Sequence, residues 1–304
     1  MKILVFGSSG LVGSSITRSL KRAGYEVIPS NREDTNLFNF AETKDKILKE
    51  NPNIVINAAA KVGGIFANNT LRTEFILENL KINMNILESS IGVKDIKIIN
   101  LGSSCIYPLN AINPITEDSI MTGPLEPTNS PYAMAKLTAI EIGDSLRKQY
   151  GMDIVNLMPT NLYGPNDNFT KEHSHVIPGL IARMHEAKIK NEKEFYIWGS
   201  GKPLREFLFV DDLSDCINFI IDNDIQESLI NVGSGQEISI LELAKKIKEI
   251  VKYDGNLFFD SSKPDGNPRK LLNSSLINDL GWKPKTSLKK GLSNTYEWYL
   301  SNIN

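Results

Sequence analysis

Seven residues near the start constrain this chain more than any others. Gly7-Ser8-Ser9-Gly10-Leu11-Val12-Gly13 follows the apolar run Ile3–Phe6 and leads straight into the helix-like segment Leu11–Ala23. The first glycine permits a tight turn, the second lets backbone approach a phosphate, and the third lets the helix pack closely on its strand. The helix N-terminus adds unpaired N–H groups and partial positive charge, which suit an anionic pyrophosphate. A strand, glycine turn and helix in this order predict the opening unit of a dinucleotide-binding α/β sheet.

The rhythm that follows agrees. Short, branched, nearly all-apolar runs at Tyr25–Ile28, Ile54–Asn57, Ile96–Leu101 and Ile154–Leu157 read as strands buried on both faces. Glu42–Glu50, Leu71–Ile91 and Pro131–Tyr150 read as the helices between them, the last opened by a proline that suits a first helical position. The spacing predicts a Rossmann-type doubly wound parallel sheet. Beyond Pro159 the alternation breaks into turn-rich stretches, with further helices at Asp212–Asn223, Ser239–Tyr253 and Ser287–Leu300. Ser239 with Glu242 three residues on forms a capping box. The expected organisation is a dinucleotide-binding domain over 1–165 plus roughly 206–235, with a smaller α/β C-terminal substrate domain from 166–205 and 236–304.

Charge and cysteine content narrow the class. Thirty-four basic against 36 acidic residues give a net charge of −2, without the basic excess of a nucleic-acid binder. Two cysteines, Cys105 and Cys216, are too few for a disulfide framework, which predicts a cytoplasmic protein. No apolar run approaches the ~18–20 residues that span a bilayer, so no membrane association is expected.

Tyr132 and Lys136 stand four apart on a predicted helix and share one face. An ammonium beside a phenol favours phenolate, and this spacing predicts a tyrosine with a lowered pKa that exchanges protons with substrate. Leu101-Gly102-Ser103-Ser104-Cys105 ends the fourth strand, on the edge where open α/β sheets bind ligands. Ser103 there is placed to hydrogen-bond a carbonyl oxygen. Just past the second strand, Arg32 is positioned for the 2′-phosphate of NADP(H), with Glu33 as the competing ribose ligand of NAD.

These residues resemble the extended short-chain dehydrogenase/reductase superfamily, which implies a Ser103–Tyr132–Lys136 triad. The resemblance extends in order through Ala58–Ile65, Ser103–Pro108, Leu125–Asn129, Pro159–Pro165, Ser174–Pro178, Trp198–Gly201, Arg205–Phe207, Val210–Asp212 and Ser262–Gly266. As a whole it is similar to the GDP-L-fucose synthase family, whose members epimerise and reduce GDP-4-keto-6-deoxymannose. What the resemblance implies is specific. Cys105 and His175 exchange protons at the sugar carbons flanking the 4-keto group, and the triad stabilises the enolate and assists hydride transfer. Gly7 to Gly13, Arg32, Leu101, Gly102, Lys136, Pro159, Asn161, Leu162 and His175 hold NADP(H). Arg183, Trp198, Arg205, Asp265 and Lys270 hold the nucleotide sugar, with Arg269 a further phosphate candidate. A homodimer pairs Leu71–Ile91 with Pro131–Tyr150 across a two-fold axis.

Two features qualify the carry-over. Ser8-Ser9 stands where some family members place a basic residue against the NADP phosphate, which leaves that task to Arg32. His173 shares the loop of His175, and the Ser-His-Val-Ile-Pro match selects His175. Other readings are a 4-epimerase, which has no need of Cys105 and His175, and a 4,6-dehydratase, which carries an Asp-Glu pair where this chain has Ser104-Cys105. A non-catalytic dinucleotide-binding module is the reading from another class. Cys216, among apolar neighbours, reads as core.

Overall fold

The computed structural model describes residues 1–170, 174–262 and 265–303. In chain order the first elements are β1 (Lys2–Phe6), α1 (Leu11–Arg22), β2 (Glu26–Ser30), α2 (Phe40–Glu50), β3 (Ile54–Asn57), α3 (Ile65–Thr70), α4 (Arg72–Ser89), β4 (Lys97–Leu101), α5 (Ser130–Tyr150) and β5 (Asp153–Pro159). There follow β6 (Asn161–Tyr163), α6 (Val176–Ile189), β7 (Glu194–Trp198), β8 (Leu204–Phe209), α7 (Val210–Asp222), β9 (Leu229–Val232), β10 (Glu237–Ser239), α8 (Ile240–Val251), β11 (Asn256–Asp260), β12 (Arg269–Lys270), α9 (Ser275–Asp279) and α10 (Leu288–Asn302).

The central sheet runs β2-β1-β3-β4-β5-β9, with every neighbouring pair parallel. Its winding reverses at β1, which has β2 on one side and β3 on the other, so the glycine loop opens at the switch point of a Rossmann-type sheet. Strand side chains alternate between two cores. Ile3 and Val5 of β1 pack with Ile16 and Leu20 of α1 and with Leu213 and Ile217 of α7 on one face. Leu4 and Phe6 pack with Ile47 of α2 and Ile82 and Ile86 of α4 on the other. Helices on both faces explain why these strands read as continuous apolar runs.

A polar row crosses this sheet. Asn57, Asn100 and Asn156 lie in register on β3, β4 and β5. They are joined by amide bonds of 2.9 Å from Asn57 to Asn100 and 3.1 Å from Asn100 to Asn156. A second core gathers Tyr163, Phe207 and Phe209 with α6, α8 and α10 around Met184, Ile247 and Tyr296. Here β8 is the hub, flanked by β10, β12 and β6, while β7 pairs with β11. Ser239 caps α8, its Oγ accepting from Glu242 N at 3.1 Å, while the Glu242 carboxylate of the expected capping box accepts from Lys245 Nζ at 2.7 Å. Among the described residues no helix is long and apolar enough to cross a membrane.

Candidate active site

At the carboxyl end of β1, Gly7 turns with φ +76, and a Cβ there would lie 2.7 Å from the Ala58–Ala59 backbone. At Gly13 a Cβ would stand 2.1 Å from Gly7 O, so helix and turn touch through backbone alone. Gly10 differs. It is the N-cap of α1, makes no side-chain cap bond, and the first turn carries no acidic residue. A Cβ on Gly10 would meet nothing nearer than Gly7 O at 3.7 Å. Uncapped N–H groups facing open space fit a dinucleotide diphosphate. Ser8 N ties the loop to Ser30 O of β2 at 3.1 Å, and Ser9 is exposed. Leu11 is half-buried, and Val12 packs on the sheet core.

Arg32 follows β2 in a turn closed by Asn31, whose Oδ1 accepts from Glu33 N at 2.7 Å and Asp34 N at 3.2 Å. Its side chain is exposed beside the loop, as is that of Glu33. Leu101 and Gly102 end β4, with Gly102 N donating to Leu157 O at 2.8 Å. Pro159, Asn161 and Leu162 lie at the neighbouring strand ends of β5 and β6. The Asn161 amide is turned to Glu206 O, 2.8 Å away.

Beyond β4 the chain enters a 3₁₀ turn over Ser104–Ile106, whose N-cap, Ser103, accepts from Cys105 N at 3.2 Å. Tyr132 stands in the first turn of α5, its ring edge-on to Phe75 of α4 with centroids 6.3 Å apart. Glu126 fixes the approach to that helix, accepting from Thr128 N and Asn129 N at 3.1 Å each. One turn on, the Lys136 ammonium lies 5.9 Å from the Tyr132 ring centroid and donates to Leu101 O at 2.7 Å. The predicted shared face is therefore real, but the expected electrostatic consequence is reversed. Burial pushes the Tyr132 phenol up, charge on Cys105 adds to this, and the Ser103 hydrogen bond only partly opposes it. Burial likewise lowers Lys136 to about 8. Desolvation is the largest cause at both groups.

Cys105 is half-buried and faces cations from the second half of the chain. Lys270 Nζ lies 3.7 Å from its sulfur. Arg205, opposite Lys270 in the β8–β12 register, is lowered by burial and raised again by charge on Cys105 and Asp265. Asp265 accepts from Ser200 N at 2.6 Å and Ser200 Oγ at 2.8 Å, and these bonds hold its carboxyl below the usual carboxylate range. It thereby shapes the Gly199–Gly201 turn beside Trp198. The Trp198 side chain is 50% exposed, with the Arg183 guanidinium 5.1 Å from its ring centroid and 4.7 Å from that of Phe195. Arg183 also donates to Tyr196 O. Arg269 is paired with Glu237 at 2.8 Å.

His175 is the N-cap of α6. Its surface is open to solvent, yet surrounding protein desolvates the ring and favours neutral imidazole, as for a group standing in a cleft. His173, Lys263 and Pro264 lie outside the described residues. Cys216 is core, fully buried, its thiol pushed up by burial.

Two residues that shape the site escaped the sequence reading. Glu206 is fully buried and accepts from Gly235 N at 2.7 Å and Leu272 N at 3.0 Å. Asn231, also fully buried, accepts from Tyr107 Oη at 2.7 Å and donates to Ile115 O at 3.0 Å. A charged residue inside the Arg205-Glu206-Phe207 strand was the one available signal for Glu206.

A parallel sheet with an uncapped glycine loop at its switch point, and a serine, tyrosine and buried lysine at the carboxyl end of β4, defines a dinucleotide-dependent oxidoreductase of the short-chain type. The chain belongs to the NAD dependent epimerase/dehydratase family, matched over residues 3–233, and within it to the GDP-L-fucose synthases. It is 50% identical to GDP-L-fucose synthase 1 of Arabidopsis thaliana, over 99% of this chain and 94% of that one. Identity to the GDP-L-fucose synthase of Escherichia coli K12 is 44%, over 99% and 97%. The crystal structure of a GDP-L-fucose synthetase from Naegleria fowleri bound to NADP matches with a TM-score of 0.89 at 30% identity, covering 99% of this chain and 94% of that one.

Proposed function

We propose that this protein converts GDP-4-keto-6-deoxy-D-mannose to GDP-L-fucose with NADPH, epimerising the carbons on either side of the ketone and then reducing it. The observation that carries the reading is the shared position of Cys105. Its N–H bonds the Ser103 hydroxyl, and Ser103 and Cys105 both act on the Tyr132 phenol, so the thiol stands beside the carbonyl-reducing pair. The names of the relatives support the same product, and the NADP in the N. fowleri protein supports the cofactor.

Bound NADPH supplies the hydride. The chain's own groups do the rest. Ser103 and Tyr132 donate to the 4-keto oxygen and stabilise the enolate formed when a neighbouring proton leaves. Tyr132, kept protonated by burial, delivers its proton to that oxygen at reduction. Cys105 and His175 remove and return protons at the two flanking carbons. Arg205, Trp198 and Arg183 receive the nucleotide end, with Asp265 holding the turn that presents Trp198. Arg32 and the uncapped α1 N-terminus receive the cofactor phosphates.

We infer a cofactor domain over 1–165 with roughly 206–235 and a substrate domain over the rest, with Tyr163, Phe207 and Phe209 of the former packed into the core of the latter. We further infer a homodimer through α4 and α5, whose surfaces expose Leu77, Met84 and Met134. Light scattering giving the monomer mass at micromolar concentration contradicts it. Two free cysteines agree with a cytoplasmic setting.

The test is turnover of GDP-4-keto-6-deoxymannose with NADPH, with the sugar product identified. GDP-L-fucose is expected. Cys105→Ser should lose epimerisation by about 10²–10⁴-fold while NADPH still binds. Oxidation of NADPH with the sugar configuration retained would make the protein a plain 4-reductase.

A further inference from the structure

Lys270 is a candidate for the substrate diphosphate by its charge, yet the fold sets it against Cys105. Its strand is held on several sides. Leu271 N donates to Asn113 Oδ1 at 2.7 Å, Leu272 N to Glu206 Oε2 at 3.0 Å, Leu204 N to Pro268 O at 2.9 Å, and Ile115 N to Leu271 O at 2.8 Å. Alternation on β12 then sends Arg269 outward to Glu237 and Lys270 inward. The inward ammonium ends 3.7 Å from Cys105 Sγ, across 165 positions of sequence. Arg205, its neighbour in register, turns one N–H to Leu204 O at 2.9 Å and one to Asp265 O at 3.4 Å. The ammonium therefore makes the direct contact, and the guanidinium adds charge behind it.

We propose that Lys270 is a positioning residue for Cys105, holding its sulfur in place for proton transfer through a direct N–H···S contact. The inference rests on the proton-transfer role proposed above for Cys105. In that step the C–H bond of the sugar breaks and an S–H bond forms. The electron pair moves onto the 4-keto oxygen held by Ser103 and Tyr132. Lys270 keeps its proton throughout and gives up only its contact with the sulfur, which links β12 to chemistry on the β4 edge.

The test is the rate at which iodoacetamide alkylates Cys105 in the NADP-loaded enzyme at fixed neutral pH, read by mass spectrometry. Cys216 is fully buried and serves as the silent internal reference. Lys270→Met should slow Cys105 labelling about tenfold or more, and Lys270→Arg should restore most of it, since a charge-assisted contact is lost and regained. KM for the nucleotide sugar should change less than loss of solvent-deuterium exchange into it. Far-UV circular dichroism and NADPH fluorescence check that both variants are folded, and Lys270→Gln replaces Met if that variant is not. Unchanged labelling with a raised KM overturns the proposal and returns Lys270 to the diphosphate. Slowed labelling in an enzyme that ignores GDP-4-keto-6-deoxymannose leaves the Lys270–Cys105 pair standing and removes the proposed substrate instead.

Discussion

The glycine loop and the Cys105 corner are both built at strand ends, but from different kinds of information. In the loop, Gly7, Gly10 and Gly13 act within one strand–turn–helix unit, and their contacts are to one another and to adjacent β3 and β2 backbone. Around Cys105, Ser103, Tyr132, Arg205 and Lys270 arrive from four separate segments, held by the buried side chains of Glu206 and Asn231. The phosphate-binding turn is thus a local property of the chain, whereas proton transfer to the sugar depends on long-range assembly. Damage to one should leave the other working.

The strongest way to break that separation is Glu206→Ala. It leaves the N–H groups of Gly235 and Leu272 unpaired in the interior, at a cost of roughly 3–5 kcal/mol. Urea unfolding should show that loss, and Cys105 alkylation should lose its dependence on Lys270, while the folded fraction still binds NADPH. Equal loss of cofactor binding would show that the two regions are one unit. Gly13→Ala is the converse. Its methyl meets Gly7 O, and the strain of about 1–3 kcal/mol should appear as weaker NADPH binding by fluorescence titration, with Cys105 labelling unchanged.

The same contrast explains what was legible in the sequence. The five expected strands, β1 to β5, fall within about two residues of their expected bounds, because burial on both faces writes itself as apolar runs, except in β2, an edge strand whose Glu26 and Pro29 are exposed. The glycine loop, the N-cap at Ser239 and the Tyr132–Lys136 face were equally plain, since each is a matter of spacing. α6 (Val176–Ile189) was not foreseen, for its apolar residues pack on several sides and leave no clear stripe. The Lys270–Cys105 contact was out of reach because no local pattern links residues 165 apart. The direction of the Tyr132 shift was misjudged for a related reason. Spacing places lysine beside tyrosine but says nothing of how far both are desolvated.

Lys136 lies where the two regions meet and gives the smallest and most pH-dependent test. Its folded pKa of about 8 is below the ordinary 10.5, so burying its ammonium costs stability. That cost is fully present below about pH 8 and disappears as pH rises past 10.5. Lys136→Met should therefore stabilise the cofactor-free protein at neutral pH by about 1–3 kcal/mol, offset in part by the lost bond to Leu101 O. Thermal melts should show the gain shrinking between pH 8 and 10.5. A gain that grows with pH over that range would mean the lysine is stabilised as a cation in the fold.

The most direct test of the account is the reaction run in deuterium oxide with GDP-4-keto-6-deoxymannose and NADPH, with the product read by NMR. The account predicts GDP-L-fucose carrying solvent deuterium at both carbons flanking the former ketone, and no deuterium at either carbon with Cys105→Ser. A reduced sugar of unchanged configuration without solvent deuterium would contradict it, leaving the triad at work and the Cys105 corner idle.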